Sequence, residues 1–228
     1  MIRYLPDFLD NPPALVALLA AWAVAYVTGI TFHEFSHAWA ANELGDSTAA
    51  RQGRLTLNPM AHLDPWGTVL FLVVGFGWGR PTPVNPYNLR NGTKRGNAMV
   101  AVAGPAANFF VAILAAIPLR TGMIPSIASF NGIRDASGME IVGLFLLIVI
   151  FLNVILGVFN LIPIHPLDGF KVAVGVLPGE LSRQLNALAP WGPGILMTLI
   201  VIGFVAPRYS PIFWILDFVA NRIFDILL

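Results

Sequence analysis

Long apolar runs alternate with short polar segments along most of this chain, and the runs have the length of membrane-spanning helices. A spanning helix needs about 20 consecutive apolar residues. Residues 14–44, which begin ALVALLAAWAVAYVTGITF, residues 98–119 and residues 141–162 all fit that length. A fourth run at 194–206 is shorter and is surrounded by prolines. The pattern predicts an all-α membrane protein with about four transmembrane helices.

Two further apolar stretches allow more than one interpretation. Residues 67–78, GTVLFLVVGFGW, are too few to span a bilayer alone and predict a re-entrant or surface segment. Residues 211–228 place Asp217, Asn221 and Asp225 at helical spacing among apolar residues, which is typical of an amphipathic helix in the membrane interface. A last helix that packs against the bundle explains the same pattern.

The polar segment at residues 45–97 is predicted to be a cytoplasmic loop with minor β structure. Within it, RPTPVNPYNL at residues 80–89 indicates either an extended edge that receives a peptide by strand addition or a plain proline-rich loop. Basic residues favour the cytoplasm. With four spans, this loop and the one that carries Lys171 and Arg183 lie inside, and both termini lie outside. The loop at 45–97 contributes Arg51, Arg54, Arg80, Arg90, Lys94 and Arg95.

The composition supports a membrane protein and limits the kinds of binding site that the chain can form. Only 11% of the residues are charged, against about 25% in soluble domains, so water is not the main solvent. The net charge of +1, from scattered basic residues, does not indicate a nucleic-acid surface. The absence of Cys excludes thiolate metal sites. We expect one membrane domain over residues 1–228, with its first apolar segment retained rather than removed as a signal peptide.

The first apolar run ends in a metal-binding pattern, HEFSH, at residues 33–37. On a helix, positions i and i+4 share a face, so His33 and His37 can bind one ion. Glu34 lies about 100° around the helix from His33, within reach of a water on that ion. Ionisable groups inside a membrane are costly and usually functional. The pattern therefore predicts a zinc site with Glu34 as general base.

A catalytic zinc site needs a third protein ligand and one open position for water. The candidates are Glu43, Asp46, His62, Asp64, His165 and Asp168. Topology favours Asp168, because the first and third spans run in the same direction and both end on the inner side. Pro163 and Pro166 end the third span, and we expect Asp168 in irregular backbone just beyond, next to Gly169. Asp64 is more simply interpreted as a turn residue.

These motifs, taken together, resemble the site-2 protease family of intramembrane metalloproteases. The resemblance covers about residues 30 to 170 and rests on HEFSHAW, QGRLTLNPMAHLDPWGT at 52–68, GWGRPTPVNP at 77–86, AGPAANF at 103–109 and FNLIPIHPLDG at 159–169. It implies one Zn²⁺ per chain, bound by His33, His37 and Asp168, with Glu34 as the base. It also implies that Asn160 lies near the zinc and helps hold the substrate or the oxyanion.

The resemblance further implies cleavage of the transmembrane segments of single-span membrane proteins, as in regulated intramembrane proteolysis. The chain is similar to the short form of the family, which carries no attached soluble domain. His165 departs from the pattern, since many members have Pro there; it is either a surface substitution or a pH-sensitive neighbour of the site. A zinc-binding transporter or assembly factor and a non-enzymatic scaffold are the rival functions, and the intact Glu34 argues against the first.

Three more residues in the spans combine packing with possible chemistry. Asn153 lies on a stripe of small and polar residues in the third span, and we interpret it as helix–helix packing. Gly104 and Asn108 in the second span are interpreted in the same way, as close packing first and as lining of the active site second.

Overall fold

Three long helices form the centre of the computed structural model, which describes residues 12–125 and 138–228. They are α1 (Pro12–Glu43), α4 (Thr93–Arg120) and α5 (Gly138–Asn160). Short helices α2 (Thr48–Arg51) and α3 (Pro65–Val74) lie between α1 and α4. After α5 come α6 (Asp168–Val176), α7 (Gly179–Ala187), α8 (Gly192–Val205) and α9 (Pro211–Leu227).

Within residues 12–125 and 138–228, four apolar helical segments are long enough to cross a membrane: Leu15–Glu43, Thr93–Arg120, Gly138–Asn160 and Gly179–Val205. The prediction of an all-α membrane protein with about four such helices is confirmed. The last segment comprises α7, a 3₁₀ turn at Ala189–Trp191 and α8, so it begins well before the predicted residue 194. The predicted loop at 45–97 ends earlier than expected, because α4 begins at Thr93.

The expected minor β structure is wrong. Among the described residues, β pairing is limited to one isolated bridge between Leu63 and Gly79. Residues 80–88, which we call the strap, are extended up to a 3₁₀ turn at Pro86–Asn88. The strap does not join a sheet because side chains from other segments bind its backbone.

Small residues bring the three central helices together. Ala21 and Ala25 of α1 are buried against Leu144 and Ile148 of α5. Ala112 of α4 is buried against α5 in a second cluster with Ile150 and Val154. In lipid, helices associate through such close packing rather than through the hydrophobic effect. The three helices thus form a fixed frame around the polar residues that they share.

The segment after α5 is helical where irregular backbone was expected. Asp168 is the first residue of α6, so its carboxylate is held at the start of a helix. Gly169 is required there, because a Cβ atom at this position would lie 2.1 Å from the Leu161 carbonyl oxygen. The two prolines at 163 and 166 occupy the short connection between α5 and α6. This tight connection brings Asp168 back against the end of α5.

The two ambiguous apolar stretches are mainly helical, and the helix in the first of them ends at Val74. In α3, the Asp64 side chain caps the N-terminus by accepting from Gly67 N at 2.8 Å, which agrees with its interpretation as a turn residue. Phe71 of α3 stacks on Tyr26 of α1 with ring centroids 4.0 Å apart. In α9, Ala220 is buried against α4 and α5, as expected for a helix that packs on the bundle. Asp217 of the same helix is exposed.

Candidate metal centre

Three ligand atoms converge where α1, α4 and α6 meet. His33 Nε2 and His37 Nε2 lie 3.0 Å apart, and each lies 3.0 Å from Oδ2 of Asp168. All three residues are buried. Ligands about 2.0–2.1 Å from a tetrahedral zinc are separated by about 3.3 Å, so the observed triangle fits such an ion closely. The predicted ligands are therefore brought together by the fold.

Hydrogen bonds on the far side of each imidazole determine its tautomer. His37 Nδ1 lies 2.8 Å from the Val100 carbonyl oxygen, which can only accept, so Nδ1 carries the proton. Asn108 donates its amide Nδ2 to Gly29 O and to Asn153 Oδ1, which leaves its Oδ1 to accept from His33 Nδ1 at 2.8 Å. Both Nε2 atoms then present lone pairs to one point, next to a carboxylate. Three such acceptors at 3.0 Å repel one another unless a cation lies among them.

The packing of α4 depends on Gly104, which faces the two rings. A Cβ atom there would lie 2.4 Å from His37 Nε2 and 2.7 Å from His33 Cε1. Only glycine allows the helix to approach the imidazoles this closely. Gly104 and Asn108 thus contribute to the site itself, while Asn108 also joins α1, α4 and α5 as the packing interpretation expected.

Glu34 is fixed by the strap. Its Oε2 accepts from the backbone N–H of Thr82 at 2.8 Å and from the Thr82 hydroxyl at 2.7 Å. Its other oxygen, Oε1, accepts no hydrogen bond from the residues that the structure describes. One carboxylate oxygen therefore sets the orientation, and the other is free for chemistry in the adjoining cavity.

A buried arginine supports this arrangement. Arg54, 5% exposed, donates to the carbonyl oxygens of Arg80 and Pro81, and its guanidinium lies 4.0 Å from Glu34 Oε2. Burial lowers the pKa of Arg54, and the nearby Glu34 acts in the opposite direction. Arg54 thus joins the strap to Glu34 and brings a positive charge close to its carboxylate.

The far end of the strap is held by Asp46, which is fully buried. Its carboxylate accepts from Asn85 N at 2.7 Å, from Asn88 Nδ2 at 3.0 Å and from the Thr48 backbone and hydroxyl. Burial alone would raise the pKa of Asp46, but the hydrogen bonds from Thr48, Asn88 and Asn85 lower it below the usual Asp value. Asp46 is therefore a structural residue and not a zinc ligand.

The site opens into a cavity of about 700 Å³. Glu34, Thr82 and the three converging ligands line one part of it, and apolar side chains such as Trp22 and Phe71 line the rest. Asn160, the last residue of α5, also lines this cavity. Its amide Nδ2 donates to Leu156 O of its own helix at 3.0 Å, and no hydrogen bond joins Asn160 to the three converging ligands among the described residues.

Both remaining histidines lie outside the metal-binding group. His62 is fully buried and lies 2.7 Å from the Thr56 carbonyl oxygen through Nε2. His165 packs edge-on against Phe170, with ring centroids 5.4 Å apart, and its Nδ1 is buried without a partner among the described residues. Burial lowers the pKa of His165, and Lys171 lowers it further. His165 is therefore partly enclosed rather than a freely exposed surface substitution.

Thr82 and Arg54 contact or approach Glu34 but were not identified from the sequence, and Asn108, which contacts His33, was interpreted mainly as packing. The position of Asn108 within a predicted span is a signal in the sequence, since an Asn side chain in a span forms hydrogen bonds with neighbouring helices. No periodicity indicates that Thr82 or Arg54 contacts Glu34, because each lies far from it in sequence and in a segment without regular structure.

Comparison with curated proteins gives relatives over almost the whole chain. "Putative zinc metalloprotease YwhC" of Bacillus subtilis is 35% identical over 91% of this chain and 89% of its own length. "Putative zinc metalloprotease Rip2" of Mycolicibacterium smegmatis is 29% identical over 89% of this chain and 74% of its own length. The Rip2 of Mycobacterium tuberculosis strain H37Rv is also 29% identical, over 89% of this chain. No family profile and no solved structure matches the chain.

Proposed function

The chain belongs to the site-2 protease family of membrane zinc metalloproteases, and on this premise we propose that it is an intramembrane endopeptidase that cleaves transmembrane segments of membrane-anchored proteins. It is a zinc-dependent peptidase and a multi-pass membrane protein. The observation that carries the proposal is the convergence of His33, His37 and Asp168 beside Glu34 at the end of an apolar cavity.

We assign His33, His37 and Asp168 as the zinc ligands and Glu34 as the general base. When bound, zinc supplies Lewis acidity, which polarises the scissile carbonyl and lowers the pKa of a coordinated water. The free Oε1 of Glu34 takes the proton from the attacking water and later gives it to the leaving amine. Thr82 keeps the other oxygen in place, so the carboxylate does not turn away from the cavity.

The strap is the proposed receiving edge for the substrate. A helical peptide hides its carbonyl groups in internal hydrogen bonds, so the substrate has to be extended before cleavage. The Val84 N–H forms no hydrogen bond within the described residues, and Val84 lines the cavity that holds Glu34. Strand addition at Val84 would hold an extended substrate beside the base. Asn160 is the candidate hydrogen-bond donor to the substrate carbonyl oxygen, on which negative charge develops during the reaction.

The active site is proposed to lie toward the cytoplasmic side of the membrane, with both termini outside. The basic residues of 45–97, together with Lys171 and Arg183, support this orientation. The apolar lining of the cavity supports a substrate that is itself a single membrane-spanning helix and enters from the bilayer.

The test compares wild type with Glu34→Gln in proteoliposomes that contain a single-span reporter protein. Glu34→Gln keeps the shape of the side chain and its hydrogen bonds with the Thr82 region, but it cannot accept the water proton. We expect cleavage by the wild type only, with equal zinc content in both proteins. Cleavage by Glu34→Gln at the wild-type rate would reject the base assignment.

A further inference from the structure

A second cavity, of about 320 Å³, lies beside the catalytic one and has a basic lining. Three cationic side chains line it, and none of its lining residues carries a carboxylate. We call it the basic cavity, and its polar lining includes Lys94, Lys171, Arg183, Thr93, Ser182 and Asn186. Such a lining favours an anionic ligand.

The walls of the basic cavity are fixed by hydrogen bonds between separate elements. Lys94 at the start of α4 donates to the Leu177 carbonyl oxygen after α6. Ser182 of α7 donates its hydroxyl to Val174 O of α6 at 2.7 Å. The strap forms the remaining wall, and Asp46 holds it through Asn85. The cavity is therefore formed before any ligand binds.

The basic cavity continues from the catalytic cavity. Asn97 and Lys171 line both cavities. The strap also leads from one to the other, since Thr82 lines the catalytic cavity and Pro86 lines the basic one. Four residues of extended chain cover about 13 Å. A peptide that follows the strap away from Glu34 therefore enters the basic cavity within a few residues.

The cationic side chains are only partly neutralised. Arg183 pairs with Glu180, and Lys171 lies 3.2 Å from Asp168 Oδ1. Lys94 has no carboxylate partner among the described residues, since its ammonium group donates to a carbonyl oxygen. The Asp168 charge is also shared with the proposed zinc. The cavity thus retains an excess of positive charge for a ligand.

We propose that the basic cavity selects substrates that carry acidic residues in the segment just beyond the scissile bond. The proposal rests on the proposed function and names the substrate class for that site. The continuity with the catalytic cavity favours a peptide over the phosphate of an anionic lipid. Ordinary single-span proteins carry Lys and Arg on their cytoplasmic flank, so this cavity repels them and admits a minority with acidic flanks.

The test uses three single-span substrates that are identical except for the flank, which carries three Glu, three Gln or three Lys residues. Cleavage is measured with purified full-length protein in vesicles of zwitterionic phosphatidylcholine. We expect the Glu flank to raise kcat/KM about fivefold over the Gln flank, and the Lys flank to lower it by a similar factor.

Charge-reversal variants test which residues determine the preference for an acidic substrate flank. Arg183→Glu and Lys94→Glu are expected to reverse the flank preference, measured as the ratio of kcat/KM for the Glu flank to kcat/KM for the Lys flank. Arg183 is exposed, so its replacement keeps the fold even if Lys94→Glu weakens the contact with Leu177. Arg208→Glu, in the 3₁₀ turn at Pro207–Tyr209, is the matched control and is expected to keep the wild-type preference.

Equal rates for all three flanks would overturn the inference and leave the proposed function intact, because the substrates are still cut. A rate that depends on added anionic phosphatidylglycerol and on Arg183, whatever the flank, would identify a lipid site instead and also overturn the inference. Failure to cleave any flank would remove the proposed function, and the inference with it.

Discussion

Thr82 donates both its backbone N–H and its hydroxyl to the same oxygen of Glu34, at 2.8 and 2.7 Å. Residues 48 positions apart are joined in this way, one in a span and one in an extended loop. The contact leaves Oε1 of Glu34 as the oxygen that can act on water.

The first prediction concerns that hydroxyl. Thr82→Val keeps the shape and the backbone N–H but removes one of two hydrogen bonds to the carboxylate, each worth about 1.5–3 kcal/mol for a charged acceptor. We expect kcat to fall at least about tenfold with KM and zinc content unchanged. Thr82→Ser restores the hydroxyl and is expected to restore kcat. Wild-type turnover by Thr82→Val would show that the hydroxyl does not position the base.

The second prediction concerns Asn108, whose Oδ1 orients the His33 imidazole. Asn108→Ala is expected to lower zinc affinity about 10- to 100-fold, as for other residues that support metal ligands. Competition with a fluorescent chelator measures the change. Asn108→Asp keeps an oxygen acceptor toward His33 but loses the amide donor to Gly29 O and Asn153 Oδ1, so we expect it to retain more zinc affinity than Asn108→Ala at a lower stability. Unchanged affinity in Asn108→Ala would contradict the assigned role.

The third prediction concerns the close approach of α4 to the imidazoles. Gly→Ala within a helix normally stabilises it by about 1 kcal/mol. Gly104→Ala instead places a methyl group against His37 Nε2, so we expect loss of zinc and of cleavage in a protein that still folds. Gly194→Ala is the matched control, because a Cβ atom there meets nothing within 4 Å. A zinc content equal to that of Gly194→Ala would refute the steric argument.

The fourth prediction links Asp46 to stability and pH. Its pKa is lower in the folded state than in the unfolded chain, so the folded state binds fewer protons there. The resulting stabilisation is complete above the usual Asp pKa and is lost as pH falls through the folded value. Asp46→Asn is expected to cost about 1.5–3 kcal/mol near neutral pH and progressively less in acid.

Thermal unfolding in detergent across pH measures this difference, with Asp225→Asn in the exposed last turn of α9 as the control. A constant difference between Asp46→Asn and wild type at every pH would exclude the ionised carboxylate as its cause.

The sequence predicts the spans and the convergence of the three ligand residues because both depend on strong local signals. Apolar length identifies the helices, and the i, i+4 spacing of His33 and His37 fixes them on one face. Asp168 is placed by topology, since its span and that of the histidines end on the same side. These features follow from periodicity and from the thickness of a bilayer.

The structural features that the sequence does not predict depend on contacts between segments that are far apart in sequence. Minor β structure was expected in the loop at 45–97, with residues 80–89 either an extended edge or a plain proline-rich loop, but Arg54, Glu34 and Asp46 bind the backbone of the strap. Helices α6 and α7 were assigned to a loop, because each has only nine residues and lacks a long apolar pattern. Asn108 was interpreted mainly as packing, since only the folded structure reveals the imidazole beside it.

If His33, His37 and Asp168 bind one catalytic zinc together, the loss of any one ligand lowers the metal content of the protein. Zinc is measured by mass spectrometry in wild type, Asp168→Ala and Glu34→Gln after dialysis against a weak chelator. We expect about one zinc per chain in wild type and in Glu34→Gln, and little in Asp168→Ala. A full complement of zinc in Asp168→Ala would show that Asp168 is not a ligand.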